Sequence, residues 1–161
     1  MEYNVEYRYD NDIKENFLQN KVALKFKKVE WKFDDNFYRL EYDEAKPYCG
    51  YFSDEYILVL FIEDSLVHPH PNNLLMYNLK KEIIKIIPPP TPINWDKVSP
   101  IHGIGEIKKI DGENYISVGI STDNYFLKEK GVIGFIEVRW LNLKTFEYHP
   151  TENTFIKDYG R

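Results

Sequence analysis

One cysteine, two methionines and four histidines are all this sequence offers to thiol, thioether or imidazole chemistry. A lone Cys49 closes no internal disulfide, so there is no secretory cross-link framework. It lies between Tyr48 and Gly50 with no neighbouring base, and reads as a structural thiol. His68 and His70 share a proline-punctuated loop, while His102 and His149 stand alone; a structural metal site needs a fuller ligand set at characteristic spacing. Long apolar runs are missing too. Residues 56–62 are the longest, against the ~20 residues of a membrane-crossing helix. Residues 1–10 are acidic and alternating, whereas a secretory leader needs a basic start and a continuous apolar stretch. A cytoplasmic location is therefore expected, with no membrane partner.

Catalytic signatures are equally scarce. There is no G-x-S-x-G, no H-E-x-x-H and no phosphate-binding glycine loop. Gly103-Ile-Gly105 lacks the third glycine and the following helix of a dinucleotide site, so it reads as a strand start or a bulge. No cofactor and no metal is expected, and the chain reads as a binding protein rather than an enzyme. Basic excess is absent as well. Asp and Glu number 26 against 21 Lys and Arg, a net charge of −5. Residues 1–64 hold 15 acidic and 9 basic side chains (net −6), and residues 65–161 hold 11 and 12 (net +1). Nucleic-acid binding wants a basic stripe, so no nucleic acid is expected. An acidic half suits a basic protein partner.

What is present is aromatic. Phe, Trp and Tyr make up 16% of the chain, with 13 Tyr and 10 Phe, and such residues fit half-buried pleated surfaces. With 43% hydrophobic and 29% charged residues the chain is globular, and 161 residues suit one domain spanning 1–161.

Period-two patterning fills most of the sequence. Residues 22–33 alternate twice, with a phase slip at Lys27-Lys28 where a bulge or bend fits. Asp34-Asp-Asn36 is a turn, and residues 37–42 alternate again. The unbroken apolar run 56–62 reads as a central strand covered on both faces. Residues 74–87 read as a hairpin turning near Asn78 to Lys81, with Pro88 to Pro92 as an edge-strand terminator. Asp111-Gly112 between alternating runs is the strongest hairpin signal. Leu141-Asn-Leu-Lys144 marks another hairpin turn, and residues 150–161 read as a partly ordered polar tail. Residues 13–20 suggest a short helix capped by Asp12, residues 94–99 a helical turn, and residues 122–130 a loop or short helix. Tyr77-Asn-Leu-Lys80 is echoed by Leu141-Asn-Leu-Lys144 at a spacing of 64 residues, longer than the ~40–45 of a propeller blade. The fold expected is mainly β: an antiparallel meander sheet or sandwich, or an incomplete propeller-like array, with one or two short helices.

Carboxylates come in adjacent doublets at strand ends, Asp34-Asp35, Asp43-Glu44, Asp54-Glu55 and Glu63-Asp64. In a meander some of these ends share one edge. Asp34, Asp35, Tyr42, Asp43, Glu44, Tyr48, Tyr51, Asp54 and Glu55 are accordingly the candidate partner-binding residues. Tyrosine supplies contact area at low entropic cost, and carboxylates steer a basic partner.

Residues 78–88, the hairpin 107–118 and residues 137–145 together resemble the small immunity proteins encoded beside bacterial polymorphic toxins. That resemblance implies a single domain that binds one cognate toxin and blocks its active site or a required surface. Two other functions suit the sequence: an enzyme with a carboxylate and histidine site around His68 or His102, or a subunit that adds an edge strand to a larger assembly.

Overall fold

The computed structural model describes residues 1–7, 21–41, 48–62, 69–123 and 134–158. They form eleven strands and, among the described residues, no helix. The fold is all-β and antiparallel. Contacts fall into two compact units, Met1–Pro88 and Pro89–Arg161, where the sequence reads as one domain. The boundary lies in the proline run that ends the last ladder of the first unit.

The first unit holds β1 (Tyr3–Tyr7), β2 (Val22–Phe33), β3 (Asn36–Glu41), β4 (Tyr48–Phe52), β5 (Tyr56–Phe61), β6 (Leu74–Asn78) and β7 (Ile83–Ile87). Its sheet runs β1-β2-β4-β5-β6-β7, with β3 also paired to β2. β2 is long because it serves two sets of neighbours. Its first half pairs β4, and its second half lies between β1 and β3. Register slips at Lys25 against β4 and at Lys27 against β1, so the expected phase slip is real and is made of two closely spaced bulges. Each bulge moves the inward positions on by one residue. The core side of β2 therefore reads Ala23, Phe26, Val29, Trp31, Phe33.

That bend rolls β1 and the end of β2 over the β4–β5–β6 surface. The Tyr3 ring lies 5.3 Å from Phe52 and 6.0 Å from Trp31, and its hydroxyl donates to the Ser53 carbonyl. Trp31 Nε1 donates to Leu79 O at 2.9 Å, which satisfies a buried carbonyl in the β6–β7 turn. Phe26 meets Phe52 edge-on at 5.5 Å. Each of these fully buried aromatics contributes about 1.5–3 kcal/mol of transfer energy. Gly50 is required beneath them: a Cβ there would sit 2.7 Å from the Phe52 ring. β5 is buried on both faces, as its continuous apolar run implies.

The second unit is a meander in the order β11-β10-β9-β8, from β8 (Ile101–Ile110), β9 (Glu113–Asp123), β10 (Gly134–Asn142) and β11 (Tyr148–Asp158). Asp111 (φ 50°) and Gly112 (φ 82°) form the expected two-residue turn, with both residues left-handed. Gly103 and Gly105 lie where β8 slips register twice against β9, and Ser117 Oγ accepts the displaced Glu106 N–H at 2.8 Å. The chain end is more regular than its polarity suggests, because β11 pairs along β10 as an edge strand. Pro150 is tolerated because residues 149–152 bulge out opposite Trp140, where no ladder donor is needed.

The helical turn expected over 94–99 is not formed. The segment bends instead, because the Ile93 and Asn94 amides are held by the carboxylate of Glu137. The helix expected over 13–20 and most of 122–130 lie outside the described residues.

The Asn-Leu-Lys echo marks two asparagine-organised turns that differ by one residue in length. Asn78 Oδ1 accepts from Lys80 N (3.0 Å) and Glu82 N (2.9 Å), and Asn78 N donates to Glu82 O. Asn142 Oδ1 accepts from Lys144 N (2.8 Å) and Thr145 N (3.0 Å), and Asn142 N donates to Glu147 O. Each turn closes through a residue with positive φ, Lys81 (64°) and Phe146 (60°). The asparagine side chain thus organises a hairpin in each unit.

Candidate functional site

Asp34 and Asp35 are the two central residues of the β2–β3 turn, with φ of 49° and 63°. Both carboxylates project into solvent, and Asp35 has Lys32 Nζ at 3.8 Å. Asn36 Nδ2 donates to Asp34 O at 3.1 Å, which supports the reversal. Phe37 follows, 82% exposed, with Lys32 Nζ 5.6 Å from its ring centroid. Phe37 was not among the sequence candidates. The signal was its phase in β3: it shares a side with Arg39 and Glu41, opposite the inward Tyr38 and Leu40.

The second doublet, Asp54-Glu55, occupies the β4–β5 turn. Ser53 Oγ accepts from Glu55 N (3.2 Å) and Tyr56 N (2.9 Å), and this fixes the turn. Asp54 pairs with the chain-terminal ammonium at 3.1 Å and with Lys21 at 3.5 Å. These contacts, the ammonium hydrogen bond first, hold its carboxyl below the usual range. The Tyr51 ring lies 5.9 Å from Tyr56, and burial pushes its phenol up, with the Asp54 charge adding to the effect. Asp34 and Glu55 have no ion pair among the described residues.

Met1 stands between the two turns. Its ammonium reaches Asp54, and its residue lines a half-open cleft of about 440 Å³ together with Glu2, Glu30, Lys32 and Phe37. The first unit therefore carries Asp34-Asp35 and Asp54-Glu55 on either side of the start of β1. Tyr48 takes its place in β4, paired to Phe26 and Phe61. Tyr42, Asp43 and Glu44 lie outside the described residues, as does the Glu63-Asp64 doublet.

Beside this tip the outer face of β1, β2 and β3 is self-neutralised. Glu6 pairs with Lys27 (3.4 Å) and Lys28 (3.2 Å), Lys28 with Glu30 (3.3 Å), and Glu30 with Arg39 (3.3 Å), which also reaches Glu41. Lys28 and Lys27 draw the Glu6 carboxyl down in pKa. Exposed pairs add little stability, but they occupy one another's charge. At the hairpin tip Asp34 has no ion pair among the described residues and lies near the exposed Phe37 ring, while Asp35 faces Lys32.

Among the described residues the second unit holds a buried ionic pair, Glu137 and Arg139. Glu137 is fully buried and accepts from Ile93 N (3.1 Å), Asn94 N (3.1 Å), Asn94 Nδ2 (2.8 Å) and Arg139 Nη1 (3.0 Å). Arg139 also donates to Thr91 O at 2.6 Å. Backbone and side-chain donors of residues 93, 94 and 139 surround the carboxylate, which thereby anchors the segment after the prolines. Sequence reading missed this clamp because its partners lie more than forty residues apart.

The histidines are scattered. His70 Nε2 is 3.0 Å from Ile62 O, and His149 Nδ1 accepts from Thr151 N and Glu152 N in the β11 bulge. His102 packs over Gly119, and His68 is outside the described residues. Among the described residues no three His, Cys, Asp or Glu side chains gather to hold a metal ion, and no helix is long and apolar enough to cross a membrane. Cys49 is buried in β4, paired with Leu24 and Leu60.

No family model, curated protein or solved structure matches this chain. The functional reading therefore rests on the residues themselves.

Proposed function

We propose that this chain is a cytoplasmic immunity or inhibitor protein that binds a cognate toxin and occludes a basic surface that the toxin needs. The supporting observation is Phe37, 82% exposed on the β2–β3 hairpin and separated from Asp34 and Asp35 by Asn36 alone. An exposed ring beside carboxylates has the makings of a binding anchor: the ring fills a pocket, and the charges select and steer a basic partner. Glu55 extends the negative rim, Asp54 being already paired with the terminal ammonium and Lys21, and Tyr51 and Tyr56 give it amphipathic area. A toxin that acts on an anionic substrate presents such a basic cleft. The sequence resemblance to immunity proteins points the same way.

Co-expression with the product of the neighbouring gene tests the reading. The chain should abolish toxicity and co-purify with that product. Phe37→Ala combined with Asp34→Asn and Asp35→Asn should cost neutralisation without loss of fold, since all three side chains are exposed and asparagine suits the left-handed turn positions. Association should also slow as salt rises. Full protection by the triple variant, or undiminished toxicity with the parent chain, sinks the proposal.

A further inference from the structure

Alternation along β1, β2 and β3 brings Asn4, Glu30, Lys32, Phe37 and Arg39 to one face, opposite Tyr3, Trp31 and Tyr38. The half-open cleft of about 440 Å³ lies at the end of this face nearest the Asp34-Asp35 turn, since Lys32 and Phe37 flank that turn and line the cleft. Its volume is near the lower end of the ~300–1,000 Å³ of ligand sites, which suits one long side chain. Most of the charge around it is already neutralised. Glu30 pairs with Lys28 and Arg39, the Met1 ammonium with Asp54, and Lys32 reaches Asp35 at 3.8 Å. Glu2 differs: it lines the cleft, is exposed, and has no ion pair among the described residues. Phe37 is an independent sign of the same preference. Lys32 Nζ stands 5.6 Å from its ring centroid, within the ~6 Å reach of a cation–π contact, so the ring already holds an ammonium of this chain. The Lys32 side chain is 55% exposed and has room to turn toward Asp35.

We propose that this cleft receives an arginine side chain of the protein partner, with its guanidinium stacked on Phe37 and paired with Glu2. The proposal rests on the reading of the chain as a binder of a basic protein surface, and names the group that surface inserts. Arginine fits better than lysine. Its planar fork bonds a carboxylate through two N–H groups and stacks on an aromatic face, whereas an ammonium is a compact, strongly hydrated point charge. The Asn4 side-chain oxygen is a further acceptor in the lining for a guanidinium that carries five N–H donors. Asp34 and Glu55 then act at longer range, steering the basic surface in before the arginine docks.

N-acetyl-arginine methylamide is the probe, titrated into the full chain at millimolar concentration and followed through the backbone amide resonances. Its neutral isostere, the citrulline derivative, is the control. Saturable shifts at Glu2, Lys32 and Phe37 with the arginine probe alone are expected, fading as salt rises. Glu2→Gln should weaken binding about two- to fivefold, the range of an exposed ion pair. Lys32→Gln removes the competing ammonium from the ring and should strengthen binding by about two- to fivefold, which loss of fold cannot mimic. Equal shifts with the citrulline probe, no saturable shift at the cleft, or binding indifferent to both substitutions overturns the proposal. Neutralisation of the neighbouring gene product separates the two readings. If it survives Glu2→Gln undiminished, the arginine cleft falls and the toxin reading stands. Arginine-selective binding by a chain that does not neutralise supports the cleft and removes the toxin as its partner.

Discussion

Replacing Arg139 with methionine tests the buried clamp of the second unit. Arg139 is 5% exposed and Glu137 0%, and their 3.0 Å contact is surrounded by the Ile93 and Asn94 amides. Methionine matches the length of the stem but removes the positive charge, leaving a buried carboxylate with only neutral donors. Breaking a buried pair from one side costs about 3–5 kcal/mol. The Thr91 carbonyl loses its 2.6 Å donor as well. Domains of this size are stable by about 5–15 kcal/mol, so the loss is a large fraction of the total. With a urea slope of about 2 kcal/mol/M, a 4 kcal/mol loss moves the midpoint by about 2 M. Trp95 gives a local reading, since it stacks on Phe135 at 6.4 Å within the clamped segment, and its emission should shift red. Adding Glu137→Gln removes the stranded charge and keeps an acceptor for the amides. The double variant should therefore be more stable than Arg139→Met alone. If Arg139→Met costs less than about 1 kcal/mol, or if the two changes add within about 0.5 kcal/mol, the clamp is not what holds the segment.

Lys81→Gly should raise the urea midpoint of the first unit, by about 0.5–1 kcal/mol of stability, because its φ of 64° strains a side chain that glycine lacks. Alkaline titration should show a late class of tyrosines by ultraviolet absorbance. Burial raises Tyr7 to about 12 and holds Tyr3, Tyr56 and Tyr148 well above the ordinary 10.0. A raised folded pKa binds the proton more tightly than the unfolded chain does. This stability is complete below pH 10 and is lost as pH climbs through the folded values. Tyrosines that all ionise together near pH 10 in folded protein would refute that.

Legibility in the sequence followed the source of each element's stability. Asp111-Gly112 and the two Asn-Leu-Lys turns are set by local backbone chemistry, so they were readable residue by residue. The doubly buried β5 showed as an unbroken apolar run, and the β2 bulges as a slip of phase. β11 was underestimated because a ladder to β10 holds it, and its exposed polar side chains leave no alternation to detect. At the candidate site the acidic turns were legible as doublets. Met1's place between them was not, because it depends on β1 closing against β2. Phe37 looked like any other member of an alternating strand until its exposure was known. The Glu137–Arg139 clamp left no local mark, since a charged pair two residues apart on a strand is ordinary in sequence.

The meander has a consequence for the order in which the protein assembles. Among the described strands, every ladder but one joins neighbours along the chain; β2 alone must also wait for β4, which arrives after β3. Emerging from the ribosome, each new strand finds its docking edge already made, so little slow searching between distant segments is required. The step that commits the first unit is then the arrival of residues 48–52 beside Val22, when the half-built ribbon of β1, β2 and β3 acquires the surface onto which it folds.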